Sequence, residues 1–307
     1  MKYIYPLIQK LPKFIRTKVP WDKYIPYPPE VSIELTNHCN FKCIMCARVG
    51  MKRELGFMDK TLAFRLIDEI AGFPETAFAP QGFGESLLHK DYIEILVYAR
   101  SKNLDKIIAI TNASKLSKDI ADKIIDTNLL DDIYFSLDGC NKETYEKLRK
   151  NASFERVMSN IKRFIEIRKK SGSWLPKIHM RIIRMKETES QIYEFKNYWL
   201  NILSDFDEVE INEFNTWVGK VEDRSSIKVK YRRRLPCRQL WKTALIFVNG
   251  DLTPCCYDVN GVLKVGNVNE HSIREIWNSK KLKELRIAHL KGDFDKIPLC
   301  KSCKEWF

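Results

Sequence analysis

The sequence has no apolar stretch long enough to cross a bilayer, which takes about 20 mostly apolar residues. Its beginning lacks the compact apolar core and the small-residue cleavage site of a secretory signal. We therefore expect a cytoplasmic protein. Acidic residues are fewer than basic residues. The chain has 40 Asp and Glu and 53 Lys and Arg, which gives a formal net charge of +13. This balance favours anionic partners, which include nucleic acid, an anionic membrane surface and a phosphorylated substrate.

Cysteine is plentiful, with nine residues in the chain. A reducing compartment argues against a disulfide framework. Their spacing argues the same way, because most of the cysteines fall into two groups, as metal ligands do. The first group comprises Cys39, Cys43 and Cys46, and the second comprises Cys237, Cys255, Cys256, Cys300 and Cys303.

Short apolar runs alternate with longer amphipathic patterns between residues 31 and 215, which indicates βα units and a parallel sheet. A chain of 307 residues with 44% hydrophobic content can form a barrel-sized domain and a small appendage. We count six units, fewer than the eight of a closed barrel. The fold class is therefore predicted as α/β, a partial (β/α)6 TIM-like barrel of parallel strands with a small C-terminal cysteine-rich domain. The predicted strands cover residues 31–35, 76–80, 106–110, 132–135, 177–183 and 208–212.

The chain divides into four predicted segments. Residues 1–28 carry six basic residues against a single acid. This N-terminal extension packs on the domain, contacts a membrane surface peripherally or contacts the substrate, and packing on the domain is the favoured interpretation. Residues 29–215 form the core. Residues 216–236 are basic and lack periodicity, which is typical of a linker. Residues 237–307 form a cysteine-bearing domain so small that we expect a metal to help stabilise it.

The first cysteine group directly follows the first predicted strand. Iron–sulfur clusters normally take four cysteine ligands, so three thiolates leave one iron with an open position. The spacing C-x3-C-x2-C resembles the fingerprint of the radical S-adenosylmethionine (SAM) superfamily. That resemblance implies a [4Fe-4S] cluster at Cys39, Cys43 and Cys46, with SAM bound at the open iron and Met45 packed against the adenine. A zinc knuckle is the alternative.

Other residues follow neighbouring predicted strands and are expected at the same edge of the sheet. Residues 82–86, Gly-Phe-Gly-Glu-Ser, resemble the glycine-glycine-glutamate-proline loop of the family and depart from it at Phe83 and Ser86. The resemblance implies that Glu85 binds the SAM amino group and that Gly84 lets the backbone approach SAM closely. The further SAM-binding residues that it implies are Thr111, Asn112 and Ser136.

Two more residues are candidates by position. Arg181 lies inside the fifth predicted strand, where a buried cation needs an anionic partner. It either holds the SAM carboxylate or forms a structural ion pair. Glu213 follows the sixth predicted strand and is a candidate catalytic acid or base.

The second cysteine group offers well-spread thiolates that can complete a cluster with no open position. An Asn-Gly-Asp turn at residues 249–251 predicts a hairpin within it. The arrangement resembles the SPASM auxiliary-cluster module in its shortened, single-cluster form, called twitch. The resemblance implies an auxiliary [4Fe-4S] cluster, with Cys255 or Cys256 as one ligand and structural zinc as the competing occupant. The implied ligands are Cys237, Cys255, Cys300 and Cys303.

The resemblance also implies the chemistry. An electron donor such as flavodoxin or ferredoxin reduces the first cluster, SAM is cleaved to a 5′-deoxyadenosyl radical, and the radical abstracts hydrogen from a substrate. The single-cluster layout is similar to that of aminocyclitol dehydrogenases, so we expect a radical SAM oxidoreductase that acts on a small sugar-like metabolite.

Two alternatives remain. One is modification of a ribosomally synthesised peptide, against which the extension argues because it is too short for the usual peptide-binding domain. The other is a zinc-bearing nucleic-acid-binding protein, in which the basic residues would contact phosphates. Zinc fingers place their ligands on small modules and not at the edge of six βα units, so we rank this alternative last.

Overall fold

The protein is described by a computed structural model that covers residues 25–227 and 234–306. The predicted basic extension, and with it the predicted membrane contact, therefore lies almost wholly outside the described residues. All six predicted strands are present, and each begins and ends within two residues of its predicted bounds. The strands are β1 (Glu30–Ile33), β2 (Lys42–Cys43), β3 (Ala77–Ala79), β4 (Ile108–Thr111), β5 (Asp132–Ser136), β6 (Arg149–Lys150), β7 (Lys177–Arg184), β8 (Glu208–Glu213), β9 (Thr243–Ile246), β10 (Asp251–Thr253) and β11 (Gly266–Asn267).

The parallel strands form an incomplete barrel. Strand β1 pairs with β3, and β4, β5, β7 and β8 follow in spatial order. A single parallel bridge between Phe78 and Ile107 joins β3 to β4. Strands β8 and β11 are the two edges among the described strands, so the sheet does not close. The predicted partial α/β barrel is confirmed.

Helices cover the outer face of the sheet, and their first residues follow local sequence signals. Ser117, Asn141 and Ser153 each cap a helix by accepting a hydrogen bond from a backbone N–H of the first turn. Gly172 ends the longest helix in the left-handed conformation that glycine adopts without strain. The α-helices are α1 (Lys60–Ala71), α2 (Tyr92–Ser101), α3 (Lys118–Asp126), α4 (Lys142–Leu148), α5 (Phe154–Ser171), α6 (Ile192–Leu200), α7 (Ile273–Trp277), α8 (Lys280–Lys291) and α9 (Pro298–Lys301).

The C-terminal region extends the barrel sheet. Strand β9 pairs in parallel with β1 on the side away from β3, with Glu30 opposite Thr243 and Ile33 opposite Ile246. The predicted hairpin is present, because β10 runs antiparallel to β9 after a turn in which Gly250 has a φ of 86°. The cysteine-rich region therefore adds a seventh parallel strand, which the sequence patterns did not predict.

One hydrophobic core serves both parts of the chain. Residues of the C-terminal region such as Trp277 and Leu252 pack in the same buried cluster as Ile67 and Ile70 of α1. The Glu69 carboxylate of α1 also accepts hydrogen bonds from the first two backbone N–H groups of α7, at 3.0 and 2.9 Å. Apolar burial therefore stabilises the C-terminal region, in addition to any metal that it binds. Within the described residues, no helix has the length and apolar character that membrane crossing requires.

Candidate functional site

The first cysteine group lies on the loop that leaves β1. Two side chains close this loop: the Thr36 hydroxyl donates to the Gly56 carbonyl at 2.7 Å, and the Asn37 amide donates to the Glu54 carbonyl at 2.8 Å. Burial raises the pKa of Cys43 to about 12, although the nearby Arg149 guanidinium opposes the rise. The thiols are therefore protonated at neutral pH until a metal replaces the proton.

These thiols line a cavity of about 430 Å³, a volume within the range of small-molecule sites. The cavity has Glu30 at the start of β1 on its wall and Cys39 beyond the end of β1, so it extends along the whole strand. The structure brings nine of the predicted site residues to its wall. They are Cys39, Cys43, Met45, Cys46, Gly84, Glu85, Thr111, Asn112 and Ser136.

The glycine loop packs against the cysteine loop with no room for a side chain. A Cβ added at Gly84 would lie 2.2 Å from the Thr36 carbonyl oxygen and 2.5 Å from that of His38. The backbone N–H of Glu85 also donates to the His38 carbonyl at 2.8 Å. Glycine at this position is therefore required by close approach to the backbone of the cysteine loop, while Phe83 packs into a small cluster with Phe247. The close approach to SAM that the sequence resemblance implies for Gly84 stays a prediction.

Glu85 joins three elements at the cavity. Its carboxylate accepts hydrogen bonds from the Thr111 hydroxyl at 2.6 Å, from the Asn112 backbone N–H at 2.8 Å and from the Leu87 backbone N–H at 3.3 Å. Burial raises the pKa of Glu85, and the bonds from Asn112 and Thr111 oppose that rise. Each carboxylate oxygen has two lone pairs, so the group retains acceptor capacity for an ammonium ion.

A buried cation that the sequence patterns did not single out lines the same cavity. The short strand β6 places Arg149 opposite Cys43 of β2, and its Nη1 lies 3.9 Å from the Cys43 sulfur. Its Nε and Nη2 donate to Asp138 at 3.1 and 2.5 Å. Burial is the largest single effect on the pKa of Arg149 and lowers it, but attraction to Asp138 and to other neighbouring groups together raises the pKa above its usual value, so the guanidinium stays charged. No sequence signal available from one chain places Arg149 beside a cysteine 106 residues earlier.

Arg181 does not reach the cavity wall, so the expected contact with the SAM carboxylate is not supported. Its Nε donates to the Glu210 carboxylate at 2.6 Å, and its guanidinium lies 3.7 Å from the centroid of the Tyr134 ring. In-register pairing of β7 with β8 places Arg181 directly opposite Glu210. Arg181 therefore forms a structural ion pair, which is the alternative that the sequence analysis left open.

Glu213 does not line the cavity either. Its carboxylate lies 3.7 Å from Arg184, and its side chain is 53% exposed. Side chains alternate along a strand, so Glu213 faces the opposite side of β8 from Glu210, whose carboxylate pairs with Arg181. The carboxylates that line the cavity, among the described residues, belong to Glu30 and Glu85.

The segment predicted as a linker contributes to the site. Residues 216–227 contain turns but no helix or strand. The Trp217 ring lines the cavity, and its Nε1 donates to the carbonyl of Met45 at 2.9 Å. Trp217 thereby fixes the backbone between Cys43 and Cys46. Trp217 is an aromatic residue in a basic segment without periodicity, and this is the signal in the sequence that could have identified it.

The second cysteine group surrounds a separate small cavity at the base of the hairpin. Burial raises the pKa of Cys237 to about 11 and that of Cys300 to about 12. Cys256 instead lines the large cavity, because neighbouring residues of an extended chain point in opposite directions. The small cavity is lined by Cys237, Cys255, Cys300 and Cys303, the four predicted ligands.

The thiols suit clusters better than single zinc ions. A tetrahedral zinc site with Zn–S bonds of about 2.3 Å needs sulfurs about 3.8 Å apart. In the part of the chain that the structure describes, no three cysteine sulfurs all lie within 4.8 Å of one another. A four-iron cluster holds its cysteine sulfurs farther apart than one ion does, and its ligands are thiolates. Neither thiol set therefore has the spacing of a single-ion zinc site, and both offer the ligand type that iron–sulfur clusters take.

This fold and these two thiol sets define an iron–sulfur protein with two cluster sites on one α/β barrel. The model of the radical SAM superfamily matches residues 33–197, and that of SPASM, an iron–sulfur cluster-binding domain, matches residues 237–304. The chain belongs to the radical SAM superfamily and carries a SPASM domain. It is a radical SAM enzyme, and its cofactors are SAM and [4Fe-4S] clusters.

The chain is also similar to individual known proteins. It is 24% identical over 293 residues to the tungsten-containing aldehyde ferredoxin oxidoreductase cofactor-modifying protein of Pyrococcus furiosus. The aligned region covers 81% of this chain and 80% of that protein. The crystal structure of BtrN in complex with AdoMet and 2-DOIA superposes with a TM-score of 0.60 and 18% identity, over 90% of this chain and 92% of BtrN. Streptococcus suis SuiB bound to its precursor peptide SuiA superposes with a TM-score of 0.70 and 15% identity, over 85% and 67% of the two chains. At these identities the structural likeness shows the fold.

Proposed function

We propose that this enzyme cleaves SAM reductively to a 5′-deoxyadenosyl radical and oxidises an alcohol of a small, sugar-like metabolite in the cavity between its two thiol sets. One observation carries the proposal. The cavity that holds Cys39, Cys43 and Cys46 is also lined by Cys256, whose neighbour Cys255 belongs to the second thiol set. A substrate in this cavity lies between the two cluster sites.

Cys39, Cys43 and Cys46 would hold a [4Fe-4S] cluster, which would supply the electron for SAM cleavage. The remaining acceptor capacity of Glu85 binds the SAM amino group. The Arg149 guanidinium, charged and buried beside Cys43, pairs with the SAM carboxylate. The protein walls exclude water from the radical.

The oxidation of an alcohol to a ketone removes two electrons and two protons from the substrate. Bound SAM would supply the 5′-deoxyadenosyl radical, which would take a hydrogen atom from the carbon that bears the hydroxyl group. The hydroxyl proton passes to a base, for which Glu30 on the cavity wall is the candidate. Cys237, Cys255, Cys300 and Cys303 would hold the auxiliary cluster, which would accept the remaining electron. Lys242 lies 3.5 Å from Glu30, and Gln239 and Thr243 line the same region. Such hydrogen-bonding groups suit a hydroxylated ligand.

Modification of a peptide is the second candidate. The likeness to SuiB, whose structure contains a precursor peptide, supports this candidate as the likeness to BtrN supports the first. The two differ in the hydrogen that is removed, which is a ring C–H in one case and a C–H of an amino-acid residue in the other.

Isotope transfer distinguishes the candidates. The protein is incubated without oxygen with SAM, dithionite and either ring-deuterated aminocyclitols or Cα-deuterated peptides encoded beside its gene, and the mass of the 5′-deoxyadenosine is measured. Deuterium transferred from an aminocyclitol supports the sugar-like substrate. Deuterium transferred from a peptide contradicts it and supports the second candidate, and absence of any 5′-deoxyadenosine contradicts SAM cleavage itself.

We further propose that the reductant is an acidic electron carrier of the flavodoxin or ferredoxin type, which docks beside β2 and β6. Lys42 and Lys150 lie directly opposite each other in this pair, and both are exposed. Opposed like charges destabilise a strand pair, so their presence beside Cys43 calls for an anionic partner. The overall charge of +13 favours the same kind of partner.

A further inference from the structure

His289 lies in the last turn of α8, next to the second thiol set. The side chain is buried, and its ring packs edge-on against Phe294 with centroids 5.1 Å apart. The backbone N–H of Cys237 donates to Nδ1 at 3.1 Å, and Nε2 lies 3.4 Å from the Cys300 sulfur. One imidazole ring therefore bridges two cysteines that are 63 residues apart in the sequence.

These two contacts fix the tautomer of the ring. A backbone N–H can only donate, so Nδ1 is the acceptor and the ring proton lies on Nε2. The Nε2–H group consequently points at the Cys300 sulfur and donates to it. Binding to iron removes the proton of a cysteine thiol, so Cys300 is a thiolate when it holds a cluster. A thiolate sulfur accepts such a hydrogen bond.

We propose that His289 is a positioning residue of the auxiliary cluster that holds Cys237 and Cys300 in place and raises the reduction potential of the cluster through its Nε2–H···S bond. The inference rests on the assignment of this cluster to Cys237, Cys255, Cys300 and Cys303. Reduction adds negative charge to a cluster, and a hydrogen bond to sulfur stabilises the more negative state. Groups that hydrogen-bond to ligands also fix ligand orientation.

The consequence concerns the second step of the proposed reaction. An auxiliary cluster of higher potential accepts an electron from a substrate radical more readily. Other N–H groups near this thiol set, such as that of Glu305, which donates to the Cys303 sulfur at 3.3 Å, belong to the backbone. His289 is thus a side-chain donor that substitution can remove without altering a ligand.

The test measures potential rather than activity. His289→Leu removes the donor at similar volume, His289→Gln keeps an N–H donor, and His271→Leu removes an exposed histidine of the same region as a matched control. Each full-length protein also carries Cys43→Ala, so that its electron paramagnetic resonance signal comes from the auxiliary cluster alone. The signal is followed during a redox titration, and iron is counted per chain.

We expect a lower potential for His289→Leu, a smaller shift for His289→Gln and no shift for His271→Leu. Loss of auxiliary iron from soluble His289→Leu, with retention in His289→Gln, also supports the positioning role. An unchanged potential with full auxiliary iron in both His289 variants overturns the inference. Absence of an auxiliary signal from the protein with native His289 would instead contradict the cluster assignment on which the inference rests.

Discussion

The ion pair between Arg53 and Glu34 offers the most specific stability prediction. Glu34 is fully buried at the end of β1, and both of its carboxylate oxygens accept bonds from the Arg53 guanidinium, at 2.7 and 2.8 Å. The same carboxylate accepts the Phe83 backbone N–H of the glycine loop at 3.1 Å. Arg53 in turn donates to the Val259 carbonyl at 2.8 Å and lies 3.8 Å from the centroid of the Phe247 ring. The pair thus joins the cysteine loop, the glycine loop and the SPASM domain.

Arg53→Met leaves the buried Glu34 carboxylate without a counter-charge. Removal of one partner of a buried pair typically costs about 3–5 kcal/mol, because the remaining charge has lost its compensation. We expect a loss of this size in the free energy of unfolding, measured with urea under anaerobic conditions. We also expect weaker SAM binding, because the Glu34 carboxylate that holds the glycine loop loses the guanidinium that fixes its position. Combining Arg53→Met with Glu34→Gln should recover part of the loss.

An exposed pair provides the matched control. Lys60 and Glu94 are 39% and 52% exposed, and Lys60→Met should cost less than about 1 kcal/mol because solvent screens such pairs. If Arg53→Met costs as little as Lys60→Met and leaves SAM affinity unchanged, the proposed junction does not hold the SAM loops in place.

Three further predictions concern the site. Glu85→Ala removes the partner of the SAM ammonium and should weaken SAM binding roughly ten- to a hundredfold in calorimetry, and unchanged affinity would exclude that contact. A soluble Cys303→Ala protein that keeps its first cluster should still form 5′-deoxyadenosine but little product, and a native product rate would exclude an auxiliary role in turnover. Lys42→Glu with Lys150→Glu should slow SAM cleavage driven by reduced flavodoxin but not by dithionite, and equal slowing with both reductants would contradict docking there.

The sequence predicted the barrel well because its signals are local. Buried parallel strands are continuous apolar runs, as at residues 107–110, and caps such as Asn141 mark where helices begin. The cysteine, glycine and polar residues at strand ends could be placed together because parallel strands end at one edge of a sheet.

The features that the sequence did not predict depend on pairing between distant segments. Strand β9 is a short apolar run whose partner is β1, more than 200 residues earlier, and no local pattern encodes that register. Arg149 enters the site through the two-residue strand β6, and Trp217 through an irregular segment. Arg181 was a candidate because its strand was identified, but its partner Glu210 lies on the next strand, and the sequence alone could not pair them.

The formation of 5′-deoxyadenosine by purified protein tests the central claim most directly. The reconstituted enzyme and its Cys43→Ala variant are incubated anaerobically with SAM and dithionite, and the product is quantified by chromatography. We expect 5′-deoxyadenosine from the native sequence, and none from a soluble Cys43→Ala protein that has lost one cluster's iron and kept the auxiliary cluster. Cleavage of SAM by the variant at the native rate would contradict the assignment of SAM chemistry to Cys39, Cys43 and Cys46.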